Sequence, residues 1–167
     1  LINMSNDCIS TIKAKEFERM HDVAFLEEAN NRFTTTCRRL LNKKNPTDKF
    51  VGPLYYIIEE LENLADQYKY LCQYLYQNKD NKIIIKPDVI KLFDKTHEML
   101  RNYYKLYYKF DKNLLVEIGK VRKEIINESI RLYESKLDGI NAITLHNIMT
   151  IAQKIFCLTG PYLVNAI

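Results

Sequence analysis

Glycine and proline are scarce in this chain, four of each in 167 residues. Turns that depend on them must be few, which disfavours a many-stranded β fold and favours long helices with short loops. Cysteine is limited to Cys8, Cys37, Cys72 and Cys157, with no Cys-x-x-Cys pair. His21, His97 and His146 do not cluster with them, which argues against a zinc site. Cys37, Cys72 and Cys157 lie beside apolar helical stripes, so they read as small core residues of a reducing compartment. There is no Gly-rich phosphate loop, no Gly-x-Ser-x-Gly and no His-Glu-x-x-His, and no Glu-x-x-His supplements the acids Glu59, Glu62 and Asp66, so an enzyme is not expected. No charged block of one sign exists, and the net charge is a mild +4. The longest apolar stretch, Ile155 to Ile167, is interrupted by Thr159, Gly160, Pro161 and Asn165 and is too short to span a bilayer. The start of the chain shows no basic segment followed by an apolar one, so no signal peptide is read.

What is present is helical periodicity. Leu54, Ile57, Ile58, Leu61, Leu64, Ala65, Tyr68, Leu71, Cys72 and Leu75 recur at three and four residues. This predicts an amphipathic helix from about Pro53 to Gln77. A second helix is predicted over about 87–110, with Pro87 in its first turn. A third runs from the Lys109–Asn113 junction to about Lys136, stopped by Asp138-Gly139. The last covers about 143–167, shortened or kinked at Pro161. Earlier, Phe25, Ala29, Phe33, Cys37 and Leu40/Leu41 form the stripe of a helix within about 16–41. Residues 1–14 read as a short helix or a frayed tail, and Asn45-Pro46-Thr47 as a turn.

A shift of 94 residues places Ile57 on Ile151, Leu61 on Ile155, Leu64 on Leu158 and Tyr68 on Tyr162. The expected architecture is an all-α antiparallel bundle of two three-helix repeats, 1–82 and 83–167. The first repeat would lack most of its first helix.

Glu59, Glu62 and Asp66 are three and four residues apart, on one helical face. Carboxylates that close repel, so protonation, solvent, a basic neighbour or a cation must compensate. One reading is an acidic solvated edge. The other is a site for a divalent or iron-type metal ion. Arg38, Arg39, Lys43 and Lys44 make the densest basic patch. They read as a helix C-terminus complementing its dipole, or as a nucleic-acid or phosphate contact. Tyr103, Tyr104, Tyr107 and Tyr108 interleave with Arg101, Lys105 and Lys109. A tyrosine seam between helices is favoured over a base-stacking groove, because positions 103 and 107 continue the core stripe. His21 beside Asp22 reads as a surface pair without a role.

The segment Ile58-Glu59-Glu60-Leu61-Glu62-Asn63-Leu64-Ala65-Asp66-Gln67-Tyr68 resembles the signature helix of PhoU proteins, regulators of phosphate uptake. The stretch from Phe33 to Leu41, ending Cys-Arg-Arg-Leu-Leu, is similar to the family helix ending in Arg-x-Leu. Asp111 is similar to the Asp that opens the middle helix of each family repeat. The resemblance implies that Glu62 and Asp66 are the metal-binding pair, with Glu59 as a helper. In the second repeat, Phe156 and Gly160 stand where the two carboxylates would be, so one half-site is implied. It also implies a cytoplasmic homodimer, not inserted in the membrane. Such a protein contacts a phosphate ABC transporter and, in bacteria, a sensor kinase. The alternatives are a helical scaffold or adaptor without metal, and a nucleic-acid-binding regulator fragment.

Overall fold

A computed structural model describes residues 1–44 and 50–166. All regular structure among them is helical: α1 (Ile2–Ala14), α2 (Met20–Leu41), α3 (Val51–Gln77), α4 (Pro87–Tyr108), α5 (Lys112–Glu134), α6 (Gly139–Cys157) and α7 (Thr159–Ala166). A single 3₁₀ turn, Phe17–Arg19, leads into α2. No helix among the described residues is long and apolar enough to cross a membrane. The expected turn at Asn45-Pro46-Thr47 lies outside the described residues.

Local chemistry explains the helix ends. The first residues form a full helix, α1 (Ile2–Ala14), closed by Lys15 in the left-handed region at φ 60°. The Lys15 amide donates to the Ile12 carbonyl and the Glu16 amide to the Thr11 carbonyl, which satisfies the last turn. Pro87 starts α4 and Asp111 caps α5, its Oδ1 accepting from the Asn113 amide at 2.7 Å. Asp138 caps α6 by accepting from the Asn141 amide at 2.9 Å. That bond, ahead of every other influence, holds its carboxyl below the usual range. The final helix therefore begins at 139 rather than 143. It breaks after Cys157, before Pro161, which sits in the first turn of α7 where its missing N–H costs nothing.

Helices α2 and α3 pack along each other, and α3 also packs on α6 and α7. Helix α6 lies against α4 and α5, and α1 docks on α4, α2 and α3. The core runs through Met4, Cys8, Met20, Leu64, Leu71, Phe93, Met99, Ile118 and Ile148, all at most 2 % exposed. Between α3 and α4 the chain is tied down by Asn141, which is fully buried. Its side-chain oxygen accepts from the Lys86 amide and its amide donates to the Ile84 carbonyl, both at 2.8 Å. Ile83 and Ile85 point into the core on either side of exposed Ile84.

One polar chain crosses this core. The fully buried Tyr68 hydroxyl donates to Ser5 Oγ at 2.9 Å, and Ser5 Oγ lies 3.0 Å from His97 Nδ1. Ser5 Oγ, with one proton and two lone pairs, bridges the tyrosine and the imidazole, and Nδ1 can pair with it in either neutral tautomer. Desolvation lowers the His97 pKa, and Glu98, Arg101, Asp94 and Lys13 around it push in opposing directions. The unfolded chain, with a histidine near 6.5, then takes up the proton first as pH falls. Stability is full above about pH 6.5 and declines as acid enters that window. The urea midpoint of the wild type should therefore drop further between pH 7.5 and 5 than that of His97→Gln. Equal drops in the two proteins would show that the ring stays protonation-neutral to folding.

Candidate functional site

The carboxylates Glu59, Glu62 and Asp66 face α2, and α2 answers them with cations and hydroxyls. Arg38 forks between the helices: Nη1 donates to Glu59 Oε1 at 2.5 Å and Nη2 to Glu62 Oε2 at 2.6 Å. Thr34 Oγ1 also donates to Glu62 Oε2, at 2.6 Å. Asp66 takes Lys69 Nζ at 2.5 Å, one turn along α3. The same Lys69 reaches Glu27 of α2 at 3.0 Å, and Asn31 Nδ2 donates to Glu27 as well.

These contacts follow an antiparallel register. Glu27 meets Lys69, Thr34 meets Glu62, and Arg38 meets Glu59 and Glu62. Glu27 is the most deeply set, with its side chain 7 % exposed, while Glu59 keeps 40 % and Asp66 30 %. Four carboxylates face two cations here, and the partial exposure of Glu59 and Asp66 lets water screen the excess. Of the ways to relieve the repulsion in the Glu59–Glu62–Asp66 set, the seam contains a basic neighbour for each acid. A metal at Glu62 and Asp66 would have to displace Arg38 and Lys69. Among the described residues no three His, Cys, Asp or Glu side chains converge as a ligand set. Phe156 and Gly160 bring no carboxylate, and Phe156 instead lies under the Arg122 guanidinium, 5.2 Å from its ring centre.

The seam sets the rotation of α2. Its buried side carries Met20, Val23, Ala24, Glu27, Thr34 and Leu41, with Asn31 and Arg38 partly covered. Of the stripe Phe25, Ala29, Phe33, Cys37 and Leu40/Leu41, expected from its periodicity to be the packing face, Leu41 is buried and the others are turned to solvent. Phe33 is 73 % exposed, Leu40 59 % and Phe25 54 %. Cys37 is exposed, whereas Cys72 is fully buried and Cys157 half-buried. Glu27 is the seam residue that the acidic-cluster reasoning missed. Its signal was the polar series Glu27, Asn31, Thr34, Arg38, at intervals of four, three and four.

The basic quartet is divided. Arg38 is held in the seam, while Arg39, Lys43 and Lys44 are exposed and form no ion pair among the described residues. The tyrosines divide too. Tyr103 is buried, and burial pushes its hydroxyl's pKa well up. Tyr104 and Tyr108 are exposed along an apolar groove of about 470 Å³ with Leu40, Leu54, Ile58 and Leu61. His21 lies on the surface, its ring edge-on to Phe25 at 4.9 Å, with Asp22 Oδ1 3.6 Å from Nδ1.

No family model, curated protein or solved structure matches this chain.

Proposed function

We propose that this chain is a regulatory helical bundle of PhoU type that works by protein contact rather than by chemistry. The observation that carries this reading is the facing of α2. A helix that buries Glu27 and Arg38 while presenting Phe25, Phe33 and Leu40 to water has a surface suited to being covered. The groove beside Leu40, lined almost wholly by apolar and tyrosine side chains, extends that surface. The family resemblance gives the setting: a cytoplasmic homodimer that restrains a phosphate ABC transporter or a regulatory protein bound to it. The packing of α1 on α4 and of α3 on α6 is what two related three-helix units, 1–82 and 83–167, would produce about a shared axis.

The seam favours the form of this reading without metal, an adaptor. Arg38 and Lys69 supply to Glu59, Glu62 and Asp66 the positive charge that a divalent ion would otherwise bring. A nucleic-acid role would fall to Arg39, Lys43 and Lys44 alone, too few for a strong phosphate footprint.

Deletion of this chain from its source organism should raise phosphate accumulation under phosphate-replete growth, measured with radiolabelled phosphate and reversed by reintroduction. Unchanged uptake in the deletion strain would remove the phosphate role and leave a general adaptor. Stoichiometric metal in the purified wild type, lost in Glu62→Ala/Asp66→Ala, would restore the metal-binding form.

A further inference from the structure

We infer that α2 forms the interface of an antiparallel homodimer, one copy's α2 lying along the other's with a two-fold axis at Phe33. This deepens the homodimer element of the reading above, although its geometry comes from α2 alone.

The solvent-facing line of α2 is palindromic. Counting from Asp22 through Leu26, Ala29, Phe33, Cys37 and Leu40 to Lys44, the intervals are four, three, four, four, three and four. At about 100° per residue, the positions 22–40 fall within about 40° of Phe33 on either side. Lys44 follows in the turn that continues the helix, its amide donating to the Leu41 carbonyl at 2.9 Å. A two-fold axis through Phe33 pairs each position with its mirror image in the series. Phe33 then meets Phe33, Ala29 meets Cys37 of the other copy, Leu26 meets Leu40, and Asp22 meets Lys44.

Size and charge both fit that register. The large Phe33 side chains meet at the centre, and small Ala29 faces small Cys37 beside them, which allows close approach. Leu26 and Leu40, 39 % and 59 % exposed in the single chain, close the apolar stretch at each end. Asp22 is exposed, and Lys44 has no ion pair among the described residues. The antiparallel arrangement sets opposite charges together at both ends. A parallel one would oppose Asp22 to Asp22 and Lys44 to Lys44, which is unfavourable. That difference selects the direction, and the palindrome selects a second copy over an unrelated partner, because an isologous interface must be self-complementary.

Light scattering on the purified full chain, over a concentration series up to about 0.1 mM, tests the interface. The wild type should be dimeric at the upper end. Phe33→Glu places two carboxylates on the axis and should weaken the dimer by about 100-fold or more, leaving a monomer with unchanged helical circular dichroism. Asp22→Lys should weaken the dimer at low salt, and Asp22→Lys with Lys44→Asp should restore it. Register is read by crosslinking: Ala29→Cys should oxidise to a covalent dimer through Cys37 of the other copy, and lose that product when Cys37→Ser is added. A wild type that stays monomeric, or a Phe33→Glu variant that stays dimeric, overturns the proposal. Either result leaves the phosphate-uptake test standing, since that test does not depend on this face.

Discussion

Lys69→Met is expected to lower folding stability by about 3 kcal/mol, far more than an ordinary helix-edge lysine would cost. Among the described residues Lys69 is the one cation that reaches Glu27, whose side chain is 7 % exposed. Removing it leaves a carboxylate in the seam with Asn31 as its remaining partner and little access to water. Asp66 suffers less, because it keeps contact with solvent. The loss is therefore specific to Glu27, and this can be checked: Glu27→Gln with Lys69→Met should recover most of it, since a neutral pair needs no counter-charge. Urea unfolding of the wild type, the single variant and the double variant reads all three values. A single-variant loss below about 1 kcal/mol would mean that water reaches Glu27 and that the pair behaves as a surface bridge.

Two identical substitutions should give opposite outcomes. Phe93→Ala is expected to cost about 3–5 kcal/mol, whereas Phe33→Ala should change the stability of the single chain by no more than about 0.5 kcal/mol. Phe93 is 1 % exposed and its ring stacks over Tyr68 at 6.1 Å, so deleting it opens a cavity in the middle of the bundle. Phe33 is 73 % exposed and loses only surface contact. For a chain of this length the first should lower Tm by about 10 °C. Thermal unfolding must be followed at a protein concentration low enough to keep the chain monomeric. Similar shifts for both would place Phe33 in a packed environment within one chain and contradict the outward facing of α2.

Much of the fold was legible because amphipathic periodicity and end signals agreed. Ile57, Leu64, Ala65, Tyr68, Leu71, Cys72 and Leu75 of the α3 stripe are buried as read, with Ile58 and Leu61 half-buried along the groove; Pro87 and Asp111 open their helices, whereas Asp138, read as a stop, also caps α6. The facing of α2 was not legible. Periodicity reports that a helix has two unlike sides, but which side is covered depends on what the neighbour offers. Helix α3 offers Glu59, Glu62 and Asp66, and only the Glu27–Arg38 side of α2 can satisfy them. Once that side turns inward, Phe25, Phe33 and Leu40 must turn out. The acidic set itself was visible from its spacing. Its partner was not, because Arg38 lies 21 residues before Glu59 and stands in a run of basic residues that reads as a helix terminus. Cys37 was misplaced for the same reason as the stripe that contains it.

The bonds that Asn141 makes bear on how this chain can vary. A connection between two long helices is ordinarily where insertions are absorbed, since extra residues there disturb little. Residues 78–86 have no such freedom. Ile83 and Ile85 are seated in the core, and Asn141 holds the Ile84 carbonyl and the Lys86 amide at fixed positions above the cap of α6. One added residue would swap the inward and outward isoleucines and pull the start of α4 off its anchor. The α3–α4 crossing is thus a spacer of set length, and the helices on either side of it are gauged to one another rather than hinged.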